Sequence, residues 1–227
     1  MGKGIKLEVL ERCSTERGEL QLQKRGPHFE IISNGLFLTA TYNEKSHCSF
    51  IHDALLQVKH PKRVLIGGLG VGFLAAEVLK NEQINEVIVV EKEQEIINWN
   101  RTYFADLNEN ALNNRKLHVV QADLTTYLQG SAEQFDMICL NVEKGPDWLI
   151  FENSRSLYGD NGMQVVKSRL SQGGCVTYTS GAHSKFLHAK LQKHFSSVKD
   201  HSIKHSFRQH NIVYFAKHEP FTNSLNV

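Results

Sequence analysis

Apolar and polar residues alternate or cluster in short runs over the first forty residues of the chain. These runs occupy residues 7–10, 19–23, 29–32 and 36–39, and a period of two predicts half-buried β-strands. Asn34-Gly35 separates the last two runs, and both residues tolerate the positive φ of a type I′ turn. We therefore expect a small antiparallel β unit over residues 1–47.

The periodicity becomes helical from about Ser46 to Val58, and Pro61 ends that segment. Beyond it, strand patterns at 63–66, 86–90, 117–120, 135–140, 174–178, 198–203 and 211–216 alternate with helix patterns at 73–80, 93–104, 125–128, 162–170 and 184–194. This alternation predicts a Rossmann-like α/β domain over residues 48–227, with helices on both faces of a mostly parallel sheet. No helix separates the last two strands, so we expect a seven-stranded sheet whose last strand is antiparallel.

A glycine-rich turn follows the first strand of this predicted sheet. Gly68, Gly70 and Gly72 lie between the apolar run that ends at Ile66 and the predicted helix, and Glu91 ends the next apolar run. Glycine lets a nucleotide approach the backbone, and a carboxylate at the end of the second strand can accept hydrogen bonds from two ribose hydroxyls. The pattern predicts a nucleoside cofactor; the alternative is a tight turn in another kind of α/β protein.

The antiparallel pair predicted for the last two strands helps to identify the nucleoside cofactor. A seven-stranded sheet with its last strand antiparallel is typical of class I S-adenosylmethionine-dependent transferases rather than of nicotinamide dehydrogenases. Ala122-Asp123 follows the third strand, where a carboxylate can accept a hydrogen bond from the adenine amine while Glu91 holds the ribose. Asp123 can also cap the short helix at 125–128, and the two roles are compatible. We expect S-adenosyl-L-methionine as the cofactor.

Charge and hydropathy exclude several partners. The formal net charge is +2 with no dense Lys/Arg run, which argues against nucleic acid. No apolar run approaches the roughly 20 residues that span a bilayer, and the first residues lack the pattern of a signal peptide. We expect a cytoplasmic protein without a membrane partner.

Cysteine and histidine spacing gives no metal or disulfide signature. Cys139 and Cys175 fall inside apolar strand patterns and are expected to be buried hydrophobic residues. His201 and His205 have the i, i+4 spacing of a ligand pair but fall on a predicted strand and turn. We therefore expect no metal site.

From about residue 35 to residue 195 the chain resembles the spermidine synthase family of aminopropyltransferases. The resemblance is carried by Ile51-His52-Asp53, residues 60–66 leading into the glycine loop, residues 77–80, Val89-Val90-Glu91, Ala122-Asp123 with Tyr127-Leu128, residues 135–138 and residues 171–176. It implies a class I methyltransferase fold and places His52 at the mouth of the cofactor site. The N-terminal β unit also matches this family, which implies a homodimer; the alternative is a lid over the substrate pocket.

The chain departs from that family in two segments that matter for chemistry. The family has a carboxylate in the glycine loop where this chain has Val71, and an acidic pair after strand four where Asn141 replaces the first acid and Lys144 adds a positive charge. An apolar Val71 suits the zwitterionic tail of intact S-adenosylmethionine. We therefore expect a methyltransferase acting on a small-molecule amine or hydroxyl. Aminopropyl or aminocarboxypropyl transfer, and a non-catalytic nucleoside-binding module, remain alternatives.

The segment after strand four supplies the candidate catalytic residues. Asn141 is placed to contact the methionine tail or to orient the acceptor, or else it caps the turn. Glu143 and Asp147 are candidate general bases or ammonium ligands, or else solvated loop charges. Trp148, Phe151 and Tyr158 either line a substrate pocket or pack the loop.

Overall fold

A computed structural model describes residues 6–140, 145–146, 149, 152–204 and 210–218. The chain begins with a four-stranded antiparallel sheet whose strands follow one another in sequence order: β1 (Leu7–Thr15), β2 (Gly18–Arg25), β3 (His28–Ser33) and β4 (Leu36–Ala40). Asn34 and Gly35 have φ values of 49° and 77°, and Ser33 pairs with Leu36 across them. The predicted two-residue hairpin is therefore confirmed.

A seven-stranded sheet forms the centre of the rest of the chain. Its strands are β5 (Arg63–Gly67), β6 (Glu86–Glu91), β7 (Leu117–Gln121), β8 (Phe135–Leu140), β9 (Leu170–Ser180), β10 (Ser197–Lys204) and β11 (His210–Lys217). The order across the sheet is β10-β11-β9-β8-β5-β6-β7, and β11 is antiparallel to both of its neighbours. The other strand pairs in this sheet are parallel. The predicted sheet, with its antiparallel last strand, is confirmed.

Six α-helices are described: α1 (Glu44–Leu55), α2 (Phe73–Leu79), α3 (Gln94–Arg101), α4 (Leu124–Gly130), α5 (Asp160–Ser168) and α6 (Lys185–His194). The prediction for α3 extended to residue 104, but the helix ends at Arg101. The N–H of Phe104 donates to the carbonyl of Trp99, which turns the chain and buries the Phe104 ring completely. The predicted helix was too long because the helical spacing of apolar residues continues to Phe104, three residues past the end of α3.

Two hydrophobic clusters cover the two faces of the large sheet. Alternate residues of one strand belong to different clusters: Val64 and Ile66 to the first, Leu65 to the second. This division follows from the period of two in a β-strand, and it explains why both faces of the sheet need helices.

The N-terminal sheet packs on its own chain. Leu20 and Leu22 belong to the same buried cluster as Trp99 and Phe104, and the Glu11 carboxylate accepts from Trp99 Nε1 at 2.7 Å. Leu20 and Leu22 are therefore buried within one molecule and need no second copy of the chain to cover them. No helix in the described part of the chain is long and apolar enough to cross a membrane.

Candidate nucleoside-binding site

The glycine loop joins β5 to α2 at the carboxyl edge of the parallel strands. Gly68, Gly70 and Gly72 have φ values of 83°, 54° and 88°, a region that other residues seldom adopt. A Cβ on Gly72 would lie 2.5 Å from Asn100 Oδ1 and 2.8 Å from Asn108 Nδ2. The loop therefore needs glycine for its backbone conformation and, at Gly72, for close side-chain packing as well.

The side chains of Asn100 and Asn108 donate hydrogen bonds to the backbone of this loop. Asn100 Nδ2 donates to the carbonyl of Gly70 at 2.7 Å, and Asn108 Nδ2 donates to the carbonyl of Val71 at 3.3 Å. Asn108 Nδ2 also donates to Asn100 Oδ1 at 2.9 Å, and both side chains are almost fully buried. This pair was not predicted from the sequence. The available signal was an asparagine, Asn100, on the apolar face of α3 beside Ile96 and Ile97.

Glu91, the predicted ribose ligand, lies buried at the end of β6 beside the loop. Its Oε2 accepts from the backbone N–H of Leu69 and its Oε1 from that of Glu93, both at 2.9 Å. Burial raises the pKa of this carboxyl, although the two N–H donors and the nearby Arg17 favour the charged form. Glu91 thus ties the glycine loop to the turn after β6. Its role toward a ribose stays a prediction.

Ala122 and Asp123 follow β7, next to the end of β6. The N–H of Ala122 donates to the carbonyl of Glu91 at 3.1 Å. Asp123 Oδ1 accepts from the backbone N–H of Thr126 at 3.1 Å, so Asp123 is the N-cap of α4. Its other oxygen, Oδ2, accepts no hydrogen bond from the described residues. The capping role is confirmed, and the second oxygen leaves the predicted adenine contact compatible with it.

A scan against family models matches residues 44–216 to the spermine/spermidine synthase domain. The chain belongs to this family. Over 156 residues it is 32% identical to the thermospermine synthase ACAULIS5 of Arabidopsis thaliana, covering 67% of this chain and 43% of that protein. Over 181 residues it is 28% identical to polyamine aminopropyltransferase 1 of Hyperthermus butylicus, covering 77% of this chain and 60% of that protein. The chain thus spans about half the length of these curated relatives.

Solved structures of the family share the fold at low sequence identity. A spermidine synthase bound to a transition-state analogue superposes with a TM-score of 0.81 at 17% identity, covering 94% of this chain and 75% of that one. The spermidine synthase of Thermotoga maritima gives 0.78 at 17% identity, covering 92% and 72%. The resemblance inferred from sequence motifs is therefore confirmed for family and fold.

Val71 occupies the position where the family resemblance places a carboxylate. Its side chain is only 2% exposed and belongs to the same hydrophobic cluster as Trp99. We expected Val71 to face the methionine tail of the cofactor, but the structure packs it into the core. The burial of Val71 therefore gives no support to a contact between its side chain and the methionine tail, whereas the lack of a carboxylate at this position still distinguishes the chain from its family.

The predicted catalytic residues Asn141, Glu143 and Asp147 lie outside the described residues, as do Trp148 and Phe151. Gly145, which is described, has a φ of 99°, and a Cβ on it would lie 2.4 Å from Ser180 Oγ. Gly145 therefore lies against Ser180 at the carboxyl end of β9. Tyr158 is buried, with its ring centroid 5.9 Å from that of Tyr178. Of the two roles considered for Tyr158, packing is the one observed.

His52 lies on α1 with an exposed side chain. One turn earlier, the His47 ring lies 6.3 Å from the ring of Phe73, the first residue of α2. His47 is thus the histidine of α1 that packs beside the start of α2. The predicted cofactor role of His52 stays a prediction.

A cleft of about 550 Å³ lies between α4, the 3-10 helical segment Glu152–Tyr158 and α5. Its polar side chains come from Thr125, Gln129, Ser156, Asp160 and Asn161, and no glycine-loop residue lines it. Asp160 binds Lys190, Lys193 and His194 of α6, which lowers the pKa of its carboxyl. Because this charge is already compensated within the chain, we assign the cleft no part in nucleoside binding.

The four cysteines are free thiols. Cys139 and Cys175 are fully buried in neighbouring strands, and burial raises the pKa of each thiol to about 12. They are buried hydrophobic residues, as predicted.

Proposed function

We propose that this domain binds a decarboxylated S-adenosylmethionine donor and transfers its aminopropyl group to a small-molecule amine. The observation that carries the proposal is membership of the spermine/spermidine synthase family, together with a glycine loop bonded to Glu91 and an Asp123 that follows the neighbouring strand β7. The relatives named as polyamine aminopropyltransferases support the same transfer. Aminopropyl transfer thus takes the place of methyl transfer, which we expected from the sequence and now keep as the second candidate.

In this proposal the glycine loop supplies the surface for the adenosyl group. Gly68, Gly70 and Gly72 allow close approach, Glu91 accepts from the ribose hydroxyls through the lone pairs that its backbone partners leave, and Asp123 Oδ2 accepts from the adenine amine. Ala122 lines the adenine side and His52 the mouth of the site. These assignments rest on position at the carboxyl edge of the sheet, where open α/β sheets bind their ligands.

The transfer itself is a displacement at carbon. The acceptor nitrogen forms a bond to the methylene carbon beside the sulfonium, the carbon–sulfur bond breaks, and the sulfur leaves as a neutral thioether. The amine then releases its proton to a base. We propose Glu143 or Asp147 as that base, with Asn141 orienting the acceptor, because the family resemblance places the acceptor beside this segment.

A second candidate is methyl transfer from intact S-adenosylmethionine. Val71 favours it, since the glycine loop lacks the carboxylate that would attract the ammonium of the decarboxylated donor and repel a carboxylate. The two candidates therefore differ in which donor binds more tightly.

Calorimetric titration with the two donors, followed by mass analysis of products formed from a panel of amines, tests the proposal. We expect the decarboxylated donor to bind at least tenfold more tightly and to yield an aminopropylated amine. Tighter binding of S-adenosylmethionine with a methylated product would replace the proposal by the second candidate. Binding of either donor without any product would support the non-catalytic module.

A homodimer also remains part of the proposal. Leu7, Val9, Leu36 and Tyr42 of the N-terminal region are between 41% and 47% exposed. They offer apolar surface that the core in the described part of the chain does not cover, whereas Leu20 and Leu22 are buried and offer none.

A further inference from the structure

Two histidines and an aspartate meet on the face of the sheet that α6 covers, apart from the glycine loop. His183 precedes α6, His188 lies within its first half, and Asp200 is on the edge strand β10. His183 Nε2 lies 3.7 Å from Asp200 Oδ2, and His188 Nδ1 lies 3.4 Å from Asp200 Oδ1. One ligand atom from each residue falls within 4.8 Å of the other two.

These separations are compatible with three ligands gathering around one small cation. Zinc binds imidazole nitrogen and carboxylate oxygen at about 2.0–2.2 Å with tetrahedral angles, which places neighbouring ligand atoms roughly 3.3 Å apart. The 3.4 Å and 3.7 Å distances run to different oxygens of Asp200, and one ligand atom from each of the three residues lies within 4.8 Å of the others, so the groups need to move together by about 1 Å or somewhat more to surround one ion. The donor set of two imidazoles and one carboxylate is also one that zinc and its neighbours in the first transition series accept.

A rigid frame holds the two imidazoles. The His183 and His188 ring centroids lie 6.0 Å and 6.1 Å from that of Tyr214, which is completely buried. The Tyr214 hydroxyl accepts from the backbone N–H of Ser184 at 2.8 Å, and Ser184 Oγ accepts from the N–H of Leu187, capping α6. The start of α6, and with it both histidines, is therefore fixed relative to β11.

The cluster is open on its outer side. The side chains of His183, His188 and Asp200 are 50%, 26% and 24% exposed, so a hydrated ion can reach them and keep a water as a further ligand. Without an ion, the imidazoles of His183 and His188 both face the single carboxylate of Asp200.

We propose that His183, His188 and Asp200 form a binding site for a divalent transition-metal ion of the zinc type. The site joins the start of α6 to the edge strand β10 and is separate from the nucleoside site: Asp200 pairs with Tyr214, which pairs with Tyr178, and β8 still lies between that strand and the glycine-loop strand β5. Its predicted consequence is a more stable edge of the sheet. It does not depend on which group the enzyme transfers.

Titration of the full-length, chelator-treated protein with Zn²⁺, and with Co²⁺ as a spectroscopic probe, tests the proposal. We expect one ion per chain at micromolar or tighter affinity, a tetrahedral Co²⁺ absorption spectrum, and a higher thermal midpoint with Zn²⁺. Asp200→Asn and His188→Ala should each weaken binding at least tenfold and remove the thermal shift.

His201→Ala is the matched control. His201 follows Asp200 in the chain but points to the opposite face, where its Nε2 lies 2.7 Å from Asp53 Oδ2 of α1. The His201→Ala variant should bind Zn²⁺ with the affinity of the wild type. If Asp200→Asn does not fold, His183→Ala changes a half-exposed side chain and gives the same readout. Equal affinity in the cluster variants and the wild type, or an equal loss in His201→Ala, would overturn the proposal.

Discussion

Arg17 and Glu93 form an ion pair that joins the tip of the first hairpin to the turn after β6. Arg17 Nε donates to Glu93 Oε1, and the side chains are only 20% and 6% exposed. Glu93 follows Glu91 by two residues and donates its backbone N–H to it. The N-terminal sheet is thereby connected to the acid that we assign to the ribose.

Replacing Arg17 should therefore destabilise the fold. Arg17→Ala leaves the buried Glu93 carboxylate without its charged partner, a loss worth about 1–3 kcal/mol for a largely buried group. Urea denaturation should show a lower midpoint for Arg17→Ala, and a double-mutant cycle with Glu93→Gln should give a coupling energy of at least about 0.5 kcal/mol. Arg12→Ala, an exposed arginine on β1, is the control. Equal midpoints for the two arginine variants would mean that the pair contributes nothing.

The Asn100–Asn108 pair should affect ligand binding through the glycine loop. Asn100→Ala removes the hydrogen bond to the Gly70 carbonyl, and the loss of a buried hydrogen bond costs about 1–3 kcal/mol. We expect a lower free energy of unfolding and at least tenfold weaker binding of the adenosyl donor. Asn98→Ala, on the exposed face of the same helix, should change neither quantity. Unaltered donor affinity in Asn100→Ala would show that the loop keeps its shape without the pair.

Glu91 should be essential for donor binding, and the structure adds an effect on stability. Two charge-assisted hydrogen bonds to ribose hydroxyls are worth about 1.5–3 kcal/mol each, so Glu91→Ala should weaken binding by two or more orders of magnitude. The carboxylate also accepts from the N–H groups of Leu69 and Glu93, so Glu91→Ala should lower the free energy of unfolding as well. Glu91→Gln keeps the shape and one acceptor, so calorimetry should show intermediate affinity. Wild-type affinity in Glu91→Ala would place the ribose elsewhere.

Asp160 should make stability depend on pH in the acid range. Lys190, His194 and Lys193 hold the pKa of its carboxyl below the ordinary value of 3.8. A depressed carboxyl pKa stabilises the folded state above the unfolded-state pKa, and that contribution is lost as the pH falls through the folded-state pKa. Thermal midpoints of wild type and Asp160→Asn should therefore differ most above pH 3.8 and converge below it. A difference in thermal midpoint that does not change with pH would show that the ionisation of Asp160 is not its cause.

The oligomeric state can be tested on the exposed residues of the N-terminal sheet. Deleting this sheet would also remove Leu20 and Leu22 from the core, so a deletion cannot separate assembly from folding. We expect wild type to sediment as a dimer at micromolar concentration and Leu7→Glu/Leu36→Glu as a folded monomer. Leu56→Glu is the control, because Leu56 is 69% exposed at the end of α1. A monomeric wild type would favour the lid hypothesis instead.

The sequence by itself determined the elements and their order. Periods of two and 3.6 are properties of a few neighbouring residues, so the strands of both sheets, the Asn34-Gly35 turn and the Asp123 cap followed from local patterns. The glycine loop could be placed for the same reason, because its backbone conformation depends on glycine at fixed positions. The antiparallel last strand followed from the absence of a helix before it.

Tertiary structure decided which distant side chains meet. The Asn100–Asn108 contact with the loop, the Arg17–Glu93 pair and the His183–His188–Asp200 cluster each join residues from different elements, whose approach depends on how helices pack on the sheet. The tertiary structure also decided that Val71 is buried, because the residue type alone does not distinguish a valine in a binding loop from a valine in a core. Side-chain burial and long-range contacts are set by packing of the whole chain, and no local pattern in the sequence encodes them.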